Sequence, residues 1–203
     1  MSRRGIHPPE RIVAFSDGVV AIAITLLLLP LAELKLPSDG RITTLIGENA
    51  ALLGGLTLTW VIIAIFWLAH HRLFAHIVGV DQTIMWLNFG WLFAIAVLPL
   101  PTNLDIANPP TPQVTGFYVG WMLLISLLQT AIFWHARRTP GLMGEEYKGS
   151  YQARSAQVRS LLVATVFAVS LVVAFIQPDV ATFVLLLLFF LDPVAARIVR
   201  SRG

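Results

Sequence analysis

The first apolar segment of the chain carries polar side chains that are costly inside a membrane. Arg11, Ser16 and Asp17 stand at the head of a run that reaches Leu29 and is long enough to cross a bilayer. Such groups in hydrocarbon normally face other protein groups or a water-filled path. The segment is therefore typical of a working part of a membrane protein rather than of a simple anchor.

The composition also indicates a membrane protein. The 203 residues are 57% hydrophobic and only 12% charged, whereas soluble domains carry roughly 25% charged residues. The chain has no cysteine, which excludes disulfides and thiolate chemistry. Its basic residues are dispersed between apolar runs instead of gathered on one face, so a nucleic-acid partner is not predicted.

Apolar runs of about 20 residues predict spanning helices, and the chain has six of them. The predicted fold is therefore an all-α, polytopic membrane protein in a single domain over 1–203. The runs lie near 12–32, 49–69, 84–102, 114–134, 160–176 and 179–199. The last run is interrupted by Asp192 and Pro193.

The basic residues predict the orientation of these helices. With six spans, only Lys35 and Arg41 fall on one side, and the other twelve of the fourteen basic residues fall on the opposite side. These twelve include Arg3, Arg4 and Arg202 near the two termini. Because basic loops stay in the cytoplasm, both termini are predicted to be cytoplasmic.

The first helix has one narrow face when its residues are placed about 100° apart. Its members are Ile22, Thr25, Leu26 and Leu29. Ser16 and Asp17 point about 120° and 140° away from Ile22, in opposite senses, and thus toward neighbouring helices. By periodicity alone, ordinary contact with lipid or core is the better interpretation of this narrow face, since almost any leucine-rich helix has such a stripe.

Asp17 needs a partner because it lies more than one turn inside the apolar run. Arg11, at the helix end, can extend its guanidinium to the interface, but a short carboxylate has no such route. The candidate donors are Trp67, His70 and His71 on the second helix and Asn88 on the third. We interpret Asp17 as part of a structural hydrogen-bonded cluster, ahead of a proton relay.

These residues form a recognisable pattern. The segment Arg11-x-x-x-Phe15-Ser16-Asp17 resembles the RxxxFSD signature of the transmembrane protein 175 family of potassium channels. The second helix resembles the family in 67–74, and the third in Asn88, Leu92 and 98–102. The resemblance covers the first three helices closely and the last three only by hydropathy.

The resemblance implies a specific assembly. Prokaryotic members of the family have one set of six helices and form homotetramers in which the first helix of each subunit lines a central pore. Matching from Asp17 assigns the hydrophobic constriction to Ile22, Leu26 and Leu29 and a hydroxyl layer associated with selectivity to Thr25. The motif residues Arg11, Phe15, Ser16 and Asp17 would then lock this helix to Trp67, His70 or His71, and Asn88. A single-copy chain of this kind is expected in the cell membrane as a multi-pass protein.

The predicted function is a potassium-selective, leak-type cation channel. Rings of isoleucine or leucine bar ions by dewetting when narrow. In a wider state, potassium passes more cheaply than sodium because it gives up its water more easily. The expected partners are potassium ions, membrane lipid and further copies of the chain.

Three alternatives remain at this point. One is a secondary transporter that uses Asp17 as a coupling carboxylate, although no second copy of the first segment is visible in the sequence. Another is a membrane enzyme that uses His70, His71 and His76, and the third is a non-conducting scaffold. The histidine spacing does not place two imidazoles one turn apart, as metal motifs do, so neither a metal, a cofactor nor an enzymatic activity is predicted.

Overall fold

The computed structural model of the chain describes residues 8–200; Arg3, Arg4 and Arg202 of the charge count lie outside this range. Within it the chain forms ten α-helices: α1 Glu10–Leu27, α2 Ile42–Glu48, α3 Ala50–Phe74, α4 Gln82–Val97, α5 Pro99–Ala107, α6 Pro112–Arg138, α7 Glu145–Lys148, α8 Tyr151–Ile176, α9 Pro178–Val184 and α10 Leu191–Arg200. Two 3₁₀ segments, Leu29–Glu33 and Leu185–Phe190, follow α1 and α9. The predicted all-α fold is confirmed.

Five segments of the described chain are long and apolar enough to span a membrane: Glu10–Glu33, Ala50–Phe74, Gln82–Ala107, Pro112–Arg138 and Tyr151–Ile176. A sixth apolar segment, Pro178–Leu188, is shorter. Helical conformation nevertheless continues from it through the second 3₁₀ segment and α10. The sixth span and the cytoplasmic termini therefore stay predictions.

Several helix ends differ from the apolar runs of the sequence. The second long helix ends at Phe74 instead of residue 69, and α8 begins at Tyr151 instead of residue 160. The early start of α8 is explained by Ser150, whose hydroxyl accepts a hydrogen bond from the backbone N–H of Ala153 and so caps the helix. Hydropathy marks only the length of a helix that suits lipid, and polar turns extend beyond it.

The first helix is shorter than the predicted 12–32. It ends at Leu27, and the 3₁₀ segment that follows contains Pro30. Proline has no N–H to donate to the carbonyl four residues earlier, and its ring clashes with that carbonyl. Pro30 therefore ends the α-helical conformation, and Leu29 lies past the end of α1.

The long helix α6 lies at the centre of the bundle, where it packs against α3, α4, α5, α8 and α9. Met122, Ile125 and Ile132 on α6 are fully buried. On the other side of the bundle, α1 packs against α3 and α4. Gly55 permits the close approach of α3 to α5, because a Cβ there would lie 2.6 Å from Cγ1 of Ile106. The helix with the polar head is thus held at the edge of the bundle, mainly by α3 and α4 and to a smaller extent by α5.

Candidate functional site: the first helix and its polar contacts

Two opposite faces of α1 have different surroundings. The buried face consists of Ser16, Val20, Ala23 and Leu27, which pack toward α3 and α4. The opposite face is exposed in the single chain, with 61% of Ile22 and 52% of Leu26 accessible. Leu29, in the 3₁₀ segment just past α1, is also exposed, at 58%. The arrangement leaves a large apolar surface on α1 without a partner within the chain.

A series of hydrogen bonds fixes the orientation of the buried face of α1. His70 Nε2 donates to Asn88 Oδ1 at 2.7 Å, and Asn88 Nδ2 donates to Ser16 Oγ at 3.0 Å. Ser16 Oγ in turn donates to the backbone oxygen of Ile12 at 2.7 Å. Since Ser16, His70 and Asn88 are buried, each bond satisfies a polar group that would otherwise be left unpaired in an apolar interior. These hydrogen bonds join α1, α3 and α4 to one another at one height in the bundle.

The imidazole of His70 is also held by aromatic rings on both sides. Its ring stacks on Phe74 at 4.4 Å and on Trp91 at 4.3 Å between centroids. Trp91 is fully buried, and its indole Nε1 has no hydrogen-bond partner in residues 8–200. The ring positions leave His70 little freedom to rotate away from Asn88.

Asp17 has a different partner from Ser16. Its Oδ1 accepts a hydrogen bond from Trp67 Nε1 at 2.8 Å. Of the donors that the sequence offered, Trp67 bonds to Asp17. His70 bonds instead to Asn88, and Asn88 bonds to Ser16. His71 is exposed, and its ring contacts that of Trp67 at 5.5 Å between centroids. The structure therefore brings the predicted residues together but distributes them over two separate sets of contacts.

The other two motif residues lie on the exposed side of α1. Arg11 is exposed in the first turn. Phe15 is also exposed and makes an edge-to-face contact with Phe89 on α4, at 6.0 Å between ring centroids. Phe15 therefore adds an aromatic contact to the α1–α4 interface, next to the buried hydrogen bonds.

Thr25 stands between the exposed aliphatic residues of α1. Its hydroxyl donates to the backbone oxygen of Ile22 at 2.8 Å. A hydroxyl has one proton and two lone pairs, so a hydroxyl that donates to its own helix presents only lone pairs to its surroundings. The exposed face thus combines aliphatic side chains with one oxygen that can accept from a donor or approach a cation.

The sequence analysis missed some contacts of this region. Phe74 follows His70 by four residues, so the two rings share one helix face, and this spacing is a signal that could have predicted their stacking. Asp81 caps α4 through Ile84 N–H and accepts from His135 Nε2 at 2.7 Å. Partial burial opposes ionisation, yet the Ile84 N–H and the His135 imidazole hold the pKa of Asp81 below its ordinary value. His135 lies 54 positions away on α6, and nothing in the local sequence indicates this pairing.

The fold and these contacts define a class, namely an all-α, multi-pass membrane protein whose first helix is fixed by buried polar contacts. The family model described as the endosomal/lysosomal potassium channel TMEM175 matches residues 11–99. A potassium channel of Streptomyces collinus is 30% identical over 174 residues, which cover 82% of each chain. The chain belongs to the TMEM175 family.

Other relatives extend this comparison. A potassium channel of Chamaesiphon minutus is 31% identical over 67% of this chain and 70% of its own. The human endosomal/lysosomal proton channel TMEM175 is 25% identical over 72% of this chain, but the match covers 29% of the human protein. The crystal structure of a lysosomal potassium-selective channel TMEM175 homologue from Chamaesiphon minutus superposes with a TM-score of 0.75. That match covers 92% of this chain and 97% of the other at 22% identity, and it shows that the two chains share a fold.

Proposed function

We propose that the chain is a potassium-selective, leak-type channel in which the α1 helices of four copies surround one pore. The observation that carries the proposal is the exposed apolar face of α1, opposite a face held by buried hydrogen bonds. A helix that served only as an anchor would not need a fixed rotation about its axis. The relatives named as potassium or proton channels support a channel and give no support to an enzyme that uses the histidines.

The proposed constriction consists of rings of Ile22, Leu26 and Leu29. Large aliphatic side chains around a narrow path exclude water and thereby ions, and a modest widening admits a partly dehydrated ion. Potassium sheds its water at a lower cost than sodium, so such a constriction favours potassium. Because Leu29 lies in the 3₁₀ segment, we place it at the outer end of the constriction.

Thr25 is the proposed polar layer between these rings. Its proton is engaged by the carbonyl of Ile22, so four copies would present only oxygen lone pairs to the axis. Such a ring suits a cation that has lost part of its hydration shell. In this proposal Thr25 replaces a few water contacts that the aliphatic rings remove.

The hydrogen bonds of Ser16 and Asp17 explain how this face is kept toward the axis. A rotation of α1 by one residue turns every side chain by about 100°, which would replace Ile22 by its neighbours at the axis. The bonds to Asn88 and Trp67 oppose this rotation. We therefore assign Ser16 and Asp17 a positioning role rather than direct contact with the ion.

Reversal potentials test the selectivity of the proposed constriction. The purified chain in a planar bilayer, with potassium on one side and sodium on the other, should show a reversal potential close to that of potassium. Ile22→Asn should raise the conductance and move the reversal potential toward zero, because a polar ring stays wet. Val172→Asn, at an exposed aliphatic position of α8, is the matched control and should leave both values unchanged. Unaltered selectivity in Ile22→Asn would refute the assignment.

Cysteine accessibility tests the conduit itself, and the chain is suited to it because it has no cysteine of its own. Leu26→Cys should react with a water-soluble, charged thiol reagent, since only the thiolate reacts and it forms only in contact with water. The reaction should reduce the current. Ala23→Cys, on the buried face, and Val172→Cys, proposed to face lipid, should not react. An unreactive Leu26→Cys in a conducting protein would place the pore elsewhere.

The number of copies can be measured separately. Native mass spectrometry of the purified protein should give a mass of four times 22.3 kDa plus bound detergent or lipid. A monomer or dimer that still conducts would contradict a pore made by four α1 helices.

A further inference from the structure

The segment between the first two spans, residues 34–49, contains the short helix α2 and is not part of the proposed pore. The spans on either side of it end at Glu33 and begin again at Ala50. Because these two spans cross the membrane, the segment that joins them lies at one membrane surface. The side chains of the segment indicate how it meets that surface.

The helix α2 has an apolar face and a polar face. With residues about 100° apart, Ile42, Leu45 and Ile46 lie within about 100° of one another, whereas Gly47 and Glu48 lie on the opposite side. Ile42 is 59% exposed and Ile46 is 52% exposed. No residue of α2 is buried, so the single chain leaves this apolar face largely uncovered.

Hydrogen bonds at both ends of α2 fix the direction of this face. Before the helix, Asp39 accepts from the backbone N–H of Arg41 at 3.0 Å and from the hydroxyl of Thr44 at 2.6 Å. After it, the amide Nδ2 of Asn49 donates to the carbonyl of Leu45 at 2.8 Å, and α3 begins at the next residue. The apolar face of α2 therefore has a set orientation relative to α3.

Basic residues flank the exposed apolar ones. Lys35 precedes Leu36, Arg41 precedes Ile42, and all four residues are exposed. Lys35 and Arg41 are the two basic residues of 34–49. Asp39, which lies between them, has both carboxylate oxygens bonded within the segment itself. Apolar side chains beside exposed basic ones are typical of a helix that lies among lipid headgroups.

We propose that α2 is an interfacial helix whose apolar face lies in the phospholipid layer at the membrane surface. Leu36, Ile42 and Ile46 contact the first part of the acyl chains, and Lys35 and Arg41 donate to phosphate oxygens. Because α2 is connected directly to α3 and through the 3₁₀ segment to α1, its depth in the lipid opposes movement of either helix along its axis. The proposal concerns lipid contact and does not rest on the conduction of ions.

Spin labels at single cysteines measure this depth, because the chain has no cysteine of its own. Ile46→Cys and Gly47→Cys are neighbouring exposed positions of α2, one on each face, so each is the matched control of the other. In vesicles of phosphatidylglycerol and phosphatidylcholine, collisions with oxygen report lipid, and collisions with a water-soluble nickel complex report water. We expect the ratio of oxygen to nickel collisions to be about threefold higher for Ile46→Cys.

A double variant in the Ile46→Cys protein tests the phosphate contacts. Lys35→Gln together with Arg41→Gln should lower the collision ratio about twofold, since basic residues near the surface attract the helix to anionic lipid. Glu48→Gln, on the polar face, is the control and should leave the ratio unchanged. If the double variant fails to fold, Ile42→Glu should lower the ratio instead, because a carboxylate on the apolar face resists contact with lipid.

Each result bears on the proposal. Equal collision ratios at Ile46→Cys and Gly47→Cys would mean that α2 has no lipid-facing side and would overturn it. A label at Ile46→Cys that collides with neither reagent and is broadened by a second label would place the face against another copy of the chain, which contradicts the proposal equally. An unchanged ratio in the double variant would refute the phosphate contacts. The measurement requires no current, so its failure and that of the proposed channel function are distinguishable.

Discussion

The helices on the two sides of the bundle are held together by different means. In the first half, α1, α3 and α4 meet through buried hydrogen bonds between side chains, from His70 to Asn88 to Ser16. In the second half, the apolar parts of α6 and α8 meet through small residues and apolar side chains, and only near the polar ends of these helices does the Arg137 guanidinium donate to Gln157 Oε1 among the described residues. Lipid is as apolar as leucine, so helix association in a membrane depends on close packing and on interhelical hydrogen bonds. The first half relies on buried hydrogen bonds between side chains, and the second half relies mainly on close packing.

The second half shows the close-packing solution. A Cβ at Gly116 would lie 3.4 Å from the ring of Phe175, and one at Gly120 would lie 3.8 Å from a methyl of Leu171. The buried hydroxyl of Ser170 donates to the backbone oxygen of Ala181 at 2.7 Å, and a bond to backbone is less specific for residue type than one between side chains. Packing of this kind specifies proximity, whereas the hydrogen-bonded chain of the first half also specifies the rotation of each helix. The proposed pore helix is in the half where rotation is specified.

Contacts between the halves keep the first one in place. The hydroxyls of Thr59 on α3 and Tyr118 on α6 lie 2.8 Å apart, and both are buried. Trp121 Nε1 donates to the carbonyl of Ala94 on α4 at 2.8 Å. The α3–α4 surface on which α1 rests is thus fixed to the central helix α6.

Asn88→Leu should have the largest effect, because Asn88 is the middle member of the hydrogen-bonded chain. It removes the acceptor of His70 and the donor to Ser16 and leaves a buried imidazole N–H unpaired. We expect a loss of about 2 kcal/mol in the free energy of unfolding, together with loss of potassium selectivity as α1 turns. Unfolding in mixed micelles measures the first effect and bilayer recording the second.

The matched control for Asn88→Leu is Gln129→Leu on α6. The Gln129 amide makes a longer hydrogen bond, 3.3 Å, to the carbonyl of Phe66 and is only partly buried. Its removal should cost less stability and leave selectivity unchanged. Because the Gln129 bond joins α6 to α3, equal effects of the two exchanges would show that the hydrogen bonds from His70 to Ser16 matter no more for the rotation of α1 than a contact between the halves.

Substitutions of Asp17 should have the next largest effect, and they separate a positioning carboxylate from a coupling one. Asp17→Asn keeps an oxygen that accepts from Trp67 Nε1, so current and selectivity should be retained. Asp17→Leu loses this acceptor, and we expect about 1 kcal/mol less stability and a reduced current. A secondary transporter that protonates or coordinates through Asp17 would instead lose its flux in Asp17→Asn. Flux measurements on both variants distinguish the two cases.

Much of this first half is predictable from the sequence. The apolar runs predicted the long helices, and the helical angles placed Ser16 and Asp17 toward neighbouring helices. The candidate hydrogen-bond partners of the first helix were also predicted, since Trp67, His70 and Asn88 are polar groups inside apolar runs and need hydrogen bonds. These inferences succeed because a membrane leaves polar side chains few alternatives.

Which of these candidates bonds to Asp17 and which to Ser16 was not predictable. Trp67, His70 and His71 lie within about one turn of α3, so a small rotation of that helix decides which of them reaches Asp17. The helix ends at Phe74 and Tyr151 were missed because hydropathy reports the lipid-facing length and not the caps. The contact between Asp81 and His135 depends on the relative placement of α4 and α6, which no local pattern contains.

Ser170→Ala tests the second half and should have a smaller effect than either change above. It removes the buried hydrogen bond from Ser170 to the carbonyl of Ala181 on α9. Interhelical hydrogen bonds in membrane proteins contribute about 0.6 kcal/mol on average, and we expect a loss of that size in the free energy of unfolding. The reversal potential should not change, since the rotation of α1 does not depend on this contact. Ser16→Ala serves as the matched exchange in the first half, where a shift in selectivity is expected.

The smallest effect should come from Asp81, which joins the two halves at the membrane surface through His135. The pKa of Asp81 in the folded chain lies below the ordinary value of 3.8, so the folded state favours the ionised carboxylate. Its contribution to stability is therefore present above pH 3.8 and is lost as the pH falls through the lower, folded value. Asp81→Asn keeps an acceptor for the Ile84 N–H but has no charge to lose, so it should reduce the acid-induced fall in melting temperature between about pH 5 and pH 3. Asp179→Asn, which removes an exposed carboxylate from α9, is the control. If both variants reduced the acid-induced fall in melting temperature equally, the contact between Asp81 and His135 would contribute nothing specific to the joining of the halves.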